Sequence, residues 1–75
     1  MQLSPNPVRE QLFIESTAHT IKYVEIFDVQ GRLIKQVVGV NASQAQLSLQ
    51  GLKPQILVVR LRAGDQMVVR QIVKQ

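Results

Sequence analysis

Ile21-Lys22-Tyr23-Val24-Glu25-Ile26-Phe27-Asp28, running on into Val29-Gln30-Gly31-Arg32-Leu33, decides the fold class of this 75-residue chain. The first eight residues are dense in β-branched and aromatic side chains, which suit a pleated strand. Even positions place Val24 and Ile26 on one face, and odd positions place Ile21, Tyr23 and Phe27 on the other. Both faces are partly apolar, which marks either a central strand or one carrying a partly exposed aromatic patch. Asp28-Val29-Gln30-Gly31 then turns the chain, since Asp suits the first position of a type I turn and Gly the fourth. Arg32 to Val40 reads as the returning strand of a hairpin.

The same period of two recurs outward in both directions. Leu12-Phe13-Ile14-Glu15 is a strand with Leu12 and Ile14 on one face. Leu3-Ser4-Pro5-Asn6-Pro7 is an edge strand or extended lead-in, because its two prolines remove two backbone donors. Ser16 to Thr20 is a polar connection, and Asn41 to Ala45 reads as a polar loop. Gln46 to Leu49 alternates with Leu47 and Leu49 inward, and Gln50-Gly51-Leu52-Lys53-Pro54 makes the next corner.

From Ile56 to Arg62, Leu57, Val59 and Leu61 share one face, while Arg60 and Arg62 stand on the other. Ala63-Gly64-Asp65 turns the chain, and Gln66 to Lys74 returns antiparallel. Two registers are open here. A two-residue Gly64-Asp65 turn and a longer turn with Gly64 in left-handed backbone differ by an odd number of residues; one choice buries Val68 and Ile72, the other Met67, Val69 and Val73. Met67, Val69 and Val73 are the expected inward set, because that choice keeps Arg70 from being buried unpaired beside Val59. No window sustains the apolar period of a helix. The chain is therefore read as one all-β domain over residues 1–75, an immunoglobulin-like antiparallel β-sandwich of about seven short strands.

Composition narrows the function classes. A domain this small buries only about 60% of its unfolded surface, so its stability is modest. With no cysteine there is no disulfide, thiolate ligand or cysteine nucleophile. No apolar run has bilayer length, so direct membrane insertion is not expected. Met1 to Pro7 has neither a basic nor an apolar signal region, so any export signal is expected upstream. The net charge of +4 is lopsided. In residues 1–52, Arg9, Lys22, Arg32 and Lys35 balance Glu10, Glu15, Glu25 and Asp28; in residues 53–75, Lys53, Arg60, Arg62, Arg70 and Lys74 face Asp65 alone. Such charge either keeps an edge strand from aggregating or forms a docking surface for an acidic partner.

Catalytic chemistry finds no foothold in the sequence. His19 stands in a polar loop, and a Glu15/Ser16/His19 grouping on one short stretch lacks the convergence of a triad. The carboxylates are scattered without calcium or zinc spacing, and the glycines are isolated turn residues rather than a phosphate loop. No catalytic residue, metal or cofactor is expected. Nucleic acid is not expected either. Despite a pI near 10.2, the chain has no tryptophan, one tyrosine and two phenylalanines, and Tyr23 and Phe27 lie on a different strand from the arginines.

In order along the chain, Pro5-Asn6-Pro7 with Leu12-Phe13-Ile14, then Val24 to Leu33, then Leu47-Ser48-Leu49 with Gly51-Leu52-Lys53-Pro54 and Val59-Arg60-Leu61, then Gly64-Asp65 and Ile72-Val73-Lys74, resemble one family. That family is the C-terminal sorting domain of the type IX (Por) secretion system, and the resemblance runs from Leu3 to Gln75. It implies a domain fused behind a larger N-terminal passenger. An outer-membrane translocon recognises it in the periplasm, and a sortase-like peptidase removes it as the passenger reaches the cell surface or the medium. The chain would be a substrate, not an enzyme. One departure is Pro54-Gln55-Ile56-Leu57, where the family carries Pro-Gly, an aliphatic residue and Tyr. Gln55 is strained at the left-handed position of a type II turn, so another turn is expected there.

The resemblance and the charge excess together assign recognition to Pro5, Asn6, Pro7, Asp28, Gly31, Arg32, Arg60, Arg62, Gly64, Arg70, Ile72, Val73 and Lys74. Two modes are expected: strand addition along Gln66–Gln75, and a basic face made by Arg60, Arg62 and Lys74. The same edge is open to a second copy, so a homodimer through edge strands is a further expected partner. The alternative reading is an adhesion or carbohydrate-binding module, with a structural accessory domain as a third.

Overall fold

Alternation of apolar and polar residues makes both sheets, and it is interrupted in two strands of the second, Ile21–Asp28 and Leu33–Ala42. A computed structural model describes residues 2–4, 9–17 and 19–75. Its strands are β1 (Gln2–Ser4), β2 (Gln11–Glu15), β3 (Ile21–Asp28), β4 (Leu33–Ala42), β5 (Gln44–Ser48), β6 (Gln55–Ala63) and β7 (Gln66–Lys74). They form a three-stranded sheet in the order β1-β2-β5 and a four-stranded sheet in the order β4-β3-β6-β7, every pair antiparallel. This is the expected immunoglobulin-like sandwich of seven strands. In the constant-type version the fourth strand joins the first sheet; here β4 stays beside β3.

The core lies between the sheets. Leu12, Ile14, Leu47 and Leu49 come from the smaller sheet and the residue that follows it. Ile21, Val24, Ile26, Leu57, Val59, Leu61 and Ile72 come from the larger one, all essentially inaccessible. Ile21 sits on the same inner face as Val24 although the two are an odd three positions apart. A register shift between Ile21 and Tyr23 sets Lys22 aside and resets the alternation. Leu57 is fully buried, and Gln55 opens β6 opposite Lys74 without left-handed backbone.

Two expectations are corrected. The polar loop over Asn41–Ala45 is not a loop: β4 runs to Ala42, β5 starts at Gln44, and Ser43 alone lies between. Gly39 (φ 68°) and Asn41 (φ 47°) adopt left-handed backbone where β4 outruns its partner, since Ile21 pairs with Ala42 but Tyr23 with Val38. Asn tolerates that conformation better than most residues. The resulting bend carries the chain across to the other sheet, where the Ser16 N–H donates to the Ser43 carbonyl at 2.8 Å.

The β6–β7 register is the other correction. Ala63 pairs with Gln66, so Gly64-Asp65 is a two-residue turn, and Gly64 at φ 61° fits the first central position of a type II′ hairpin. Ile72 is buried and Val68 half-buried, while Met67, Val69 and Val73 face outward. Arg70 does pair with Val59 on the inner side, yet it is exposed. β7 is the outermost strand of the larger sheet. At Arg70 nothing from the smaller sheet closes over it, so no burial cost opposes the turn.

Candidate interaction surface

Cross-strand pairing lays out the outer face of the larger sheet row by row. Val38, Tyr23, Arg62 and Met67 form one row across β4, β3, β6 and β7; Gln36, Glu25, Arg60 and Val69 form the next; Leu33, Phe27, Val58 and Gln71 form a third. Ile56 and Val73 follow beyond them. Leu33, Val38, Ile56, Met67, Val69 and Val73 are each more than two-fifths exposed. Sequence reasoning missed this face because it turned Met67, Val69 and Val73 inward. The two-residue turn chemistry of Gly64-Asp65 was the signal that would have found it.

An ion pair sits in the middle of these apolar rows. Arg60 Nη2 lies 2.7 Å from Glu25 Oε1, and its guanidinium rides over the Phe27 ring at 5.2 Å from the centroid. The aromatic residues and the arginines are thus on hydrogen-bonded neighbour strands and share one face. A shallow groove beside the pair is lined by Phe27, Val29, Val58, Arg60 and Val69. Further along, the Tyr23 hydroxyl donates to Met67 Sδ at 3.6 Å and Arg62 Nε to the Gly64 carbonyl at 3.3 Å. Arg62 and Arg70 have no carboxylate partner among the described residues.

The expected recognition residues separate into groups. Pro5, Asn6 and Pro7 lie outside the described residues. Asp28, Leu57 and Ile72 share one row, so the Asp28–Arg32 turn and the terminal Ile72, Val73 and Lys74 meet at one end of the larger sheet. Gly64 lies at the opposite end, where a Cβ would come within 2.9 Å of the His19 ring. Arg60 and Arg62 stand between, on the outer face. Lys74 does not join them: it is buried opposite Gln55 on the inner side, its Nζ donating to the Gln75 carbonyl at 2.6 Å. The basic face therefore reduces to Arg60 and Arg62.

Asp28 locks its turn. Its Oδ1 accepts the backbone N–H groups of Gln30 and Arg32, each at 2.9 Å, and its Oδ2 lies 2.8 Å from Arg32 Nε. The Arg32 N–H does most to hold this carboxyl below its usual value, against desolvation, with the Arg32 side chain and the Gln30 N–H adding to it. Gly31, at φ 87°, takes the left-handed position after the turn and donates to the Asp28 carbonyl at 3.0 Å. Among the described residues no group of three or more His, Asp or Glu could hold a metal, and no helix is long and apolar enough to cross a membrane.

One family model, described as Domain of unknown function (DUF8694), matches residues 7–74. No curated protein matches the chain.

Proposed function

The chain belongs to the DUF8694 family, and we propose that it is a non-catalytic C-terminal address label, read by a type IX-like outer-membrane translocon and cut from its passenger by a sortase-like peptidase. One observation carries the reading. From Leu12 onward the ordered series of motifs falls on consecutive strands and turns of a single sandwich, and the charge excess gathers in its terminal β6–β7 hairpin. On this reading the domain supplies shape, an edge strand and charge, and other proteins supply the chemistry. Passage through the periplasm to the cell surface or the medium belongs to the same proposal.

The test is export of a reporter fused ahead of the domain, in a bacterium that has this secretion route. The full chain is expected to bring the reporter to the surface, and removal of the last residues from Gln71 onward to leave it in the periplasm. That deletion also removes the buried Ile72. The exposed or half-buried substitutions Arg62→Glu and Arg70→Glu keep the core intact and should lower export in a graded way. Export unaffected by all of these changes sinks the proposal. The half-buried Tyr23 and Phe27 on the outer face also suit the adhesion reading, and retention of the chain on a glycan array would favour it.

A further inference from the structure

The two edges of the larger sheet are built differently. The β4 edge is broken by register shifts against β3 near both ends and by left-handed backbone at Gly39 and Asn41. Such irregularities discourage pairing with another strand. The β7 edge has neither feature: its register against β6 runs unbroken from Gln66 to Lys74. Among the described residues no strand pairs with its far side. The portion from Gln66 to Gln71 is the part at issue here.

Side chains along that portion alternate in chemistry as well as direction. Met67 and Val69 project to the outer face, 52% and 55% exposed. Arg70 projects to the inner side and is exposed there, and among the described residues its Nη1 donates only to the Val69 carbonyl, at 3.2 Å. Around the edge stand Arg60, Arg62 and Arg70, with Glu25 already committed to Arg60.

We propose that β7 accepts an extended segment of another protein, added edge-on along Gln66–Gln71, with apolar residues beside Met67 and Val69 and a carboxylate opposite Arg70. Added strands bind through backbone hydrogen bonds and are selected by alternate side chains. Directly opposed residues share a face, so the alternation of β7 dictates an apolar–polar alternation in its partner. Charge decides the occupant. A second copy of this chain would bring another net +4 and a second Arg70 to the same edge, whereas an acidic segment neutralises it. The inference deepens the recognition step proposed above, but its test needs no export apparatus, so the two can fail separately.

The probes are synthetic peptides matched in length to β7, alternating valine and threonine, with one central threonine kept or replaced by glutamate or lysine. Binding to the whole chain is measured by titration, and backbone amide shifts locate it. The glutamate peptide should bind tightest and the lysine peptide weakest, with steps of about threefold that shrink as salt is added. Arg70→Glu should invert that order, and Val69→Asp should abolish binding of every peptide. Both positions are exposed, so neither change removes core. An unchanged order in Arg70→Glu, shifts confined to β4 or the smaller sheet, no binding at all, or self-association of the chain through β7 would each overturn the proposal.

Discussion

The two outward faces of this sandwich differ although the same inward rule built both sheets. On the smaller sheet Gln2, Ser4, Gln11, Glu15, Gln44, Gln46 and Ser48 face outward, with Phe13 as the apolar exception. Those side chains satisfy one another: Gln44 Nε2 donates to Glu15 Oε2 at 3.1 Å, and the Gln46 amide donates to Gln11. On the larger sheet the outward rows are mostly Val, Leu, Ile, Met, Tyr and Phe around one ion pair. Folding of this chain does not require the second pattern, since one apolar face per sheet is enough to make a core. Leu33, Val38, Ile56, Met67, Val69 and Val73 therefore stay exposed for reasons other than core formation, which is why recognition is proposed on this sheet. The contrast separates the residues that build the core from an outward face that the core does not need.

The strongest way to break that contrast is to cut the shared core from either side. Leu12→Ala in β2 and Leu57→Ala in β6 remove fully buried side chains. Each should cost about 2–5 kcal/mol, a large fraction of the stability of so small a domain. Urea unfolding followed by circular dichroism checks this. A markedly smaller loss for Leu12→Ala would mean that the polar-faced sheet is an appendage rather than half of the fold.

Acid should act next, and on the larger sheet first. Folding holds the Asp28 carboxyl below its usual value. Its contribution is therefore complete above the ordinary carboxylate range and is lost as pH falls through the folded value. Exchange of the Gln30 and Arg32 amides should accelerate at that pH before exchange of the Leu49 amide, which donates to the Glu10 carbonyl. Asp28→Asn should remove the difference. Equal acceleration at both sites would show that acid loosens the whole sandwich through other groups.

The smallest effect sharpens the comparison most. Phe13→Ser and Val69→Ser both replace exposed side chains and should each change stability by no more than about 0.5 kcal/mol. Only Val69→Ser should lower the affinity of an acidic β-peptide. If Phe13→Ser lowers it equally, the two faces are not functionally distinct.

Much of the architecture was legible in the residues themselves. β2 and β6 alternate cleanly, so Leu12 with Ile14, and Leu57 with Val59 and Leu61, were each placed on one face, and all are buried. Asp28 and Gly31 announced their turn because the hydrogen bonds that make it are local. The bulge at Lys22 and the bend at Gly39 and Asn41 were not legible. Both arise where strands of unequal length must stay paired, and neither strand carries that information alone. The candidate surface was legible only in part. Tyr23 and Phe27 left open a central strand or a partly exposed aromatic patch, but the continuation through Met67, Val69 and Val73 depended on the β7 register.

By itself, the sequence determined the class of fold, the shared faces of Leu12 with Ile14 and of Leu57 with Val59 and Leu61, the turn at Asp28 and the excess of positive charge in the last hairpin. All of these follow from period, local hydrogen bonding or counting. Only the tertiary structure decided which side of β7 faces the core. The cost of turning Arg70 inward depends on whether the opposite sheet reaches that far, and at Arg70 it does not. With that penalty absent, the tight Gly64-Asp65 turn set the register, and Met67, Val69 and Val73 were turned out to the surface.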